Sequence, residues 1–369
     1  MKIRNNTGKI RLLCLQTHMR IKNGITSVSG VDLVRTILPS EHLSDKFEVE
    51  IRQDPFTKDQ KNWDEITRYW DIILTSYIDS PWGYVSMGFN AEKNGCIVII
   101  DLDDNVWKLP RSNPVYVNYH PGSEALGTLT SILHHNKYIT TTNNCLAYAI
   151  CKEAGKNKDN VKVFPNYIDL TAYDYTKIIP VKKDTITITH FGSSTHFQDL
   201  MEGGFFAGLK RICDKYSQVR VKTVGNWIPE YVTAFGSKYT QGQGDPDVYG
   251  WINKVWPKLM GETDICVAPL NDTESNRGKS DVKMLECGAA KKPMVCSDVR
   301  PYHDAVGVSE TIAYLANNED QWFEKLEKLV ISEDLRKKRG EILYNWVKEN
   351  RTIQKNNYRF EEWLLAISL

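Results

Sequence analysis

Residues 264–298 read DICVAPLNDTESNRGKSDVKMLECGAAKKPMVCSD, and the order of residue types in them decides the fold class. The apolar run Ile265-Cys266-Val267-Ala268, stopped by Pro269, predicts a short buried parallel strand. Residues 271–278 are polar and turn-forming. Val282, Met284, Leu285 and Ala289 then recur with the spacing of one helix face, with Ser280 or Asp281 as the N-cap. Lys291-Lys292-Pro293 closes the helix, and Met294-Val295-Cys296 begins another strand. A helix start offers unpaired N–H groups and the positive end of a dipole to an anion, and Lys279 adds a full charge there. Lys283 and Glu286, three residues apart, share one side of the helix. The unit predicts a phosphate seat beside a carboxylate that can accept sugar hydroxyls. The plainer alternative is a strand–helix–strand unit with a solvated Lys/Glu face.

Working outward, the same design recurs twice. Ile10 to Leu15 predicts a strand, residues 21–30 a loop containing Gly24 and Gly30, and Val31 to Leu38 a helix closed by Pro39. Ile186 to Phe191 predicts another strand running into Gly192-Ser193-Ser194-Thr195-His196, with a helix from Asp199-Leu200, so the fold restarts in the second half. Residues 171–184, polar with Pro180 and three lysines, read as the linker between the halves. Val161 to Asp169 reads as the last strand of the first half and leaves Asn166 at the cleft between domains. Cys96 to Ile100 predicts a buried strand followed by Asp101-Leu102-Asp103-Asp104-Asn105, an acidic cluster where parallel sheets bind ligands. Asp103 and Asp104 there read as a metal pair, a turn cluster, or groups that orient a hydroxyl. The rings of Trp63, Tyr69, Trp70, Tyr77, Trp82 and Tyr84 read as core packing, and His18 and His120 as structural residues.

With 369 residues the chain predicts two domains, and 41% hydrophobic content is enough to bury two cores. A net charge of +1 excludes strong global steering toward nucleic acid or anionic lipid, although a local basic patch is compatible with it. Eight cysteines, scattered and without a C-x-x-C pair, read as reduced thiols rather than a disulfide or zinc framework. No apolar run approaches the roughly 18 residues of a membrane span. The start MKIRNNTGKIR lacks the apolar core of a signal peptide, so a cytoplasmic protein is expected, in the host cytoplasm if phage-encoded.

Ala268-Pro269-Leu270, Asn276, Lys279-Ser280, Lys283, Glu286, Pro293 and Ser297-Asp298 together resemble the donor-binding segment of GT-B glycosyltransferases of the retaining family 4 / group 1 type. The run D-L-D-D-N from Asp101, the P-N-x-I-D ending at Asp169 and G-S-x-T-H-x-x-D-L from Gly192 extend the resemblance over most of the chain, in the order relatives have them. The fold class it implies is α/β, GT-B: two Rossmann-like domains facing across a cleft, with a C-terminal helix crossing back to the first. The implied domains are 1–170 (acceptor side), 171–184 (linker), 185–345 (nucleotide-sugar binding) and 346–369 (the returning helix). The resemblance makes Glu286 the ribose contact, and makes Gly192, Ser193, Ser194, His196, Asn276, Ser280 and Lys283 contacts to diphosphate and sugar. Tyr249 and Trp251 would line the base, while Gly30 and Asn166 would reach the donor from the first domain. Many relatives have a further Glu eight residues before the second, where this chain has Gly278, so another group would make that contact.

The function implied is transfer of a sugar from a UDP- or GDP-linked donor to a hydroxyl, with retention of configuration. Asp103, Asp104 and Lys279 would be the catalytic residues, with no cofactor and no bound metal. The acceptor would be a bacterial surface glycan or a phage hydroxymethylated DNA base, and no stable membrane insertion is expected. A nucleotide-sugar epimerase and a non-catalytic sugar-binding protein are alternatives on the same fold. Donor sugar, base, acceptor and oligomeric state are not written in the residues.

Overall fold

A computed structural model describes residues 7–16, 20–22, 25–53, 63–76, 81–225, 227–245 and 247–368; His18, Gly24, Tyr77 and Asn226 lie outside the described residues. Six strands form the first sheet: β1 (Ile10–Gln16), β4 (Phe47–Gln53), β5 (Ile72–Ser76), β6 (Ile97–Leu102), β7 (Tyr138–Thr141) and β8 (Val161–Val163). A small antiparallel hairpin, β2 (Arg20–Lys22) and β3 (Ile25–Ser27), follows β1. The second sheet contains β9 (Ile186–Phe191), β10 (Val219–Val224), β11 (Tyr239–Gly242), β12 (Ile265–Ala268), β13 (Met294–Ser297) and β14 (Tyr314–Ala316). Every strand pair in both six-stranded sheets is parallel, in the orders β4-β1-β5-β6-β7-β8 and β11-β10-β9-β12-β13-β14.

Parallel strands need covered faces, which is why β5, β6 and β12 are largely apolar along their length, while β9 alternates Ile and Thr yet buries both sets. Leu12, Leu13, Cys14, Ile72, Ile73, Leu74, Ile265 and Cys266 are all fully buried. In each sheet the chain first builds outward on one side of the first strand, then crosses to the other. The order therefore reverses between β1 and β5, and again between β9 and β12. Ligands bind in the crevice outside the strand ends at such reversals. In the second sheet the crevice is formed by the loops after Phe191 and Ala268, the two stretches that carry the sequence signals.

Several expectations need correction. Pro39 does not close the first helix. The chain is helical over Gly30–Asp32, takes a π turn over Leu33–Ile37 and stays helical over Leu38–Glu41 with Pro39 in its first turn. The π turn widens the backbone by one residue, so the ring and its missing N–H fall where no helical bond is required. The same device recurs in the second domain, where a π turn over Trp251–Val255 precedes the helix Trp256–Glu262 with Pro257 at its start. The strand expected over 161–169 ends at Val163; Ile168 makes only an isolated bridge to Thr352. Asp281 occupies the N-cap of the helix Val282–Ala289, but its carboxylate makes no cap bond. It pairs instead with the two terminal guanidinium nitrogens of Arg351, at 2.6 and 2.7 Å.

The helix Glu333–Asn350 packs on the second domain so closely that a Cβ at Gly340 would lie 1.9 Å from the Lys291 carbonyl oxygen. The chain then crosses at 351–357. The helix Tyr358–Ser368 lays Phe360 and Leu364 on Leu12, Ile72, Leu74 and Ile99, covering part of one face of the first sheet. Phe164 meets Trp363 there with ring centroids 5.5 Å apart. Another apolar cluster runs from Val28, Leu33 and Ile37 of the first domain to Phe191, Val248 and Trp256 of the second, so the domains share buried surface beneath the cleft. All eight thiols are free, six of them buried. No helix among the described residues is long and apolar enough to cross a membrane.

Candidate active site

The cleft between the domains has a volume of about 390 Å³, and its lining draws on both sheets. From the second domain come Ser193, His196, Trp251, Lys279, Lys283 and Glu286; from the first come Gly30, Val34, Asp103, Asp104 and Asn166. The helix Val282–Ala289 supplies the floor. Its inner face buries Met284, Leu285, Cys287 and Ala289 against the sheet, which turns Lys283 and Glu286 toward the opening.

Two lysines therefore meet in one half-buried place. Burial, reinforced by the charge of Lys279, pulls the Lys283 ammonium down to about 8. Burial also lowers Lys279, but the carboxylates of Asp104, Asp199 and Asp103 outweigh it and hold that ammonium above its usual range. Lys279 Nζ lies 3.3 Å from Asp104 Oδ1, an ion pair that spans the domains. Glu286 Oε1 accepts from the Tyr173 hydroxyl at 2.9 Å and the Trp251 indole N–H at 3.2 Å. Burial raises the Glu286 carboxyl against those two bonds and the nearby Lys283.

A relay of buried groups supports Lys283. His196 Nε2 is 3.1 Å from Lys283 Nζ, and His196 Nδ1 is 3.0 Å from Asp199 Oδ2. Burial, then the charges of Lys283 and Lys279, hold the imidazole well below its usual range, so it is neutral at physiological pH. Its partners assign the tautomer: Nδ1–H donates to Asp199 and Nε2 accepts from the ammonium. The other Asp199 oxygen accepts from the Asn271 backbone N–H at 2.9 Å and Asn276 Nδ2 at 2.8 Å. Gly192 must be small because a Cβ there would sit 2.7 Å from the His190 ring and 3.0 Å from the His196 ring. Among the described residues no group of three or more His, Cys, Asp or Glu converges as a metal centre.

The first-domain wall rests on a buried ion pair. Arg35, in the π turn, donates from Nε and Nη2 to the two Asp101 oxygens at 2.9 and 2.7 Å, and from Nη1 to Asn166 Oδ1 at 2.8 Å. The Asn166 carbonyl in turn accepts from Arg351, which holds Asp281 at the start of the helix Val282–Ala289. The chain Asp101–Arg35–Asn166–Arg351–Asp281 thus runs unbroken from the end of β6 to the residue preceding Val282.

The structure brings most of the expected residues together and leaves others aside. Gly30, Asp103, Asp104, Asn166, Ser193, His196, Trp251, Lys279, Ser280, Lys283 and Glu286 line the cleft. Ser194 and Asn276 line a smaller neighbouring pocket with Ser112 and Gln198, and Tyr249 is not among the residues lining the cleft. Sequence reasoning missed Arg35, Tyr173, Arg351 and the role of Asp199. Only Asp199 carried a usable signal, as the acidic residue three positions after His196.

No family model matches the chain, and no curated protein matches it. Solved structures do. HepE of Anabaena in complex with UDP-glucose is 12% identical, with 97% of this chain and 100% of that one covered and a TM-score of 0.68. A glycosyltransferase from Rickettsia africae is 13% identical over 97% of this chain and 99% of its own, at a TM-score of 0.62. Sucrose-phosphate synthase from Thermosynechococcus elongatus is 11% identical over 97% and 100%, at 0.61. Two parallel six-stranded sheets facing across a cleft, superposable on these structures over nearly the whole chain, establish the GT-B fold.

Proposed function

We propose that this protein is a glycosyltransferase that moves a sugar from a nucleoside diphosphate sugar to a hydroxyl acceptor. The observation that carries the reading is the convergence of Lys279 and Lys283 with Glu286 in one cleft between two Rossmann-like domains. Burial and the Lys279 charge depress Lys283, so the second cation is costly to keep beside the first, and a diphosphate between them carries the matching charge. Glu286 would accept ribose hydroxyls through its second oxygen, with Tyr173 and Trp251 fixing the first. Trp251 would flank the base. The diphosphate gains charge as the sugar departs, and Lys279 and Lys283 stabilise it, so their contribution is greatest at the transition state.

Asp103 and Asp104 lie across from the lysines, on the side where an acceptor would enter. Asp104 would orient the incoming hydroxyl or oppose oxocarbenium charge on the sugar. Attack on the face the diphosphate leaves, with retention, is the stereochemistry this reading favours, because it is what the resemblance to the retaining family 4 / group 1 type implies. The lysines and the helix start would do the work of a metal cation, so activity should survive chelation. That HepE was solved with UDP-glucose supports UDP-linked sugars as the first donors to try. For the acceptor, the near-neutral net charge supports a glycan over a DNA base.

Calorimetry with UDP and GDP, followed by assays of UDP or GDP release from a donor panel, tests the reading. Nucleotide release that requires an acceptor supports transfer. Conversion of the donor to an isomeric nucleotide sugar would instead mark an epimerase, and binding without turnover a sugar-binding protein.

A further inference from the structure

We propose that Asn143, a first-domain residue, is a positioning residue for Lys279 of the second domain, so that the phosphate cation is set in place only when the domains are closed on each other. The proposal rests on the donor-cleft reading of Lys279 and deepens it. Asn143 is the N-cap of the helix Asn144–Glu153, and its Oδ1 accepts from the Leu146 backbone N–H at 2.9 Å. That bond fixes which way the amide faces, and its Nδ2 then points across the domain boundary. There it donates to two successive carbonyl oxygens, of Gly278 at 3.0 Å and of Lys279 at 2.8 Å. The reversed amide would set its oxygen against both carbonyls, so cap and crossing contact require the same orientation.

The first domain therefore holds Lys279 at both ends: its carbonyl through Asn143 and its ammonium through Asp104. The adjoining turn is fastened in the same manner. Asn105 Nδ2 donates to the Glu274 carbonyl at 3.2 Å, and Ser275 Oγ to the Asn105 carbonyl at 3.3 Å. Gly278 makes the approach possible. A Cβ there would lie 3.0 Å from the Asn105 Cβ and 3.2 Å from the Ser275 carbonyl oxygen. A side chain at 278 would press on Asn105 and the Ser275 carbonyl, which would have to give by a few tenths of an ångström, and the glycine instead allows a close backbone seam with the first domain. Asn143 acts through Lys279 and lines neither the cleft nor the neighbouring pocket.

Asn143→Asp separates the two duties of the residue. Aspartate caps a helix as well as asparagine, but it faces the two carbonyls with acceptors instead of donors. Hydrogen exchange of the unliganded protein should show amides in 274–281 exchanging about tenfold faster while the helix Asn144–Glu153 keeps its protection. UDP should bind about tenfold more weakly, with kcat reduced more than KM is raised. Gly278→Ala, which leaves Asn143 intact but crowds Asn105, should act in the same direction. Unchanged exchange over 274–281 in Asn143→Asp overturns the proposal. Faster exchange with wild-type UDP affinity and kcat also overturns it, reducing Asn143 to a fastening between domains. Absence of UDP and GDP binding in the wild type strikes at the donor-cleft reading instead, and the exchange experiment still decides whether Asn143 orders the turn that carries Lys279.

Discussion

In the first domain the buried charges nearest the cleft are matched to each other, whereas in the second they are not. Arg35 and Asp101, 3% and 2% exposed, form a bidentate pair, and Asp101 also accepts from Thr140 Oγ1 at 2.6 Å. Lys283 has as its nearest partner a neutral imidazole, and Lys279 reaches an Asp104 carboxylate whose side chain is 50% exposed. A cation satisfied by protein on every side is structural, while one left with a neutral or solvated partner has capacity for a ligand. Two sheets of the same kind thus differ in kind of wall: one is internally matched, and the other, under the proposed function, binds the diphosphate.

Removing one partner of the braced pair should have the largest effect. Asp101→Ala leaves the Arg35 guanidinium buried and unpaired and should cost about 3–5 kcal/mol of stability, read by urea denaturation. Lys283→Met, on the opposite wall, should leave stability equal to or above wild type while UDP binding falls. If Lys283→Met destabilises as much as Asp101→Ala, the contrast between the walls is lost.

Lys279→Ala should lower kcat by about 10²–10³, because its contact strengthens as the diphosphate departs. Glu286→Ala should instead raise the donor KM, by roughly tenfold, with a smaller change in kcat, since a ribose contact is the same before and during reaction. Steady-state kinetics with a working donor separates the two patterns, and wild-type values for both variants would remove this site from the mechanism. Asp104→Asn should reduce transfer roughly tenfold with a distinctly smaller loss of UDP binding measured by calorimetry, since Asp104 also holds the Lys279 ammonium. Equal loss of both would move Asp104 into the donor site.

The smallest effect is a linked proton. With Lys283 near 8 in the protein alone, about half of it is neutral at pH 8, and a diphosphate would restore its charge. UDP binding at pH 8 should therefore take up about half a proton, seen as a dependence of binding heat on buffer ionisation, and affinity should weaken as pH rises through 8. The sign for stability is opposite. Lys283 binds its proton less tightly folded than unfolded, so this group alone stabilises the fold progressively from about pH 8 toward its ordinary value of 10.5. Proton release on binding would contradict the assignment.

Much of this molecule is decided locally. The strands β6 and β12 and the centre of β1 are runs of apolar residues long enough to be covered on both faces, and such runs read directly as parallel strands. The loop after β9, the turn before Val282, and the helix that carries Lys283 and Glu286 follow from turn residues and a 3.6-residue period. Pro39 misled because a proline stops an α-helix but not one that has widened by a residue beforehand, and the π turns at 33–37 and 251–255 leave no mark in residue order.

The apolar periods and the chain of ordered motifs by themselves determined the two-domain α/β class and most of the polar groups that line the cleft, though not Tyr173. Tertiary structure alone decided how those groups are charged and held. Tyr173 reaches Glu286 across 113 positions, Asn143 reaches Gly278 across 135, and Arg351 reaches Asp281 across 70. The physical reason is one of range. Hydrophobic period and turn chemistry act over a few residues, so they can be read along the chain. Hydrogen-bond partnership and desolvation depend on which atoms come within about 3 Å once the sheets are packed, and that is a property of the fold.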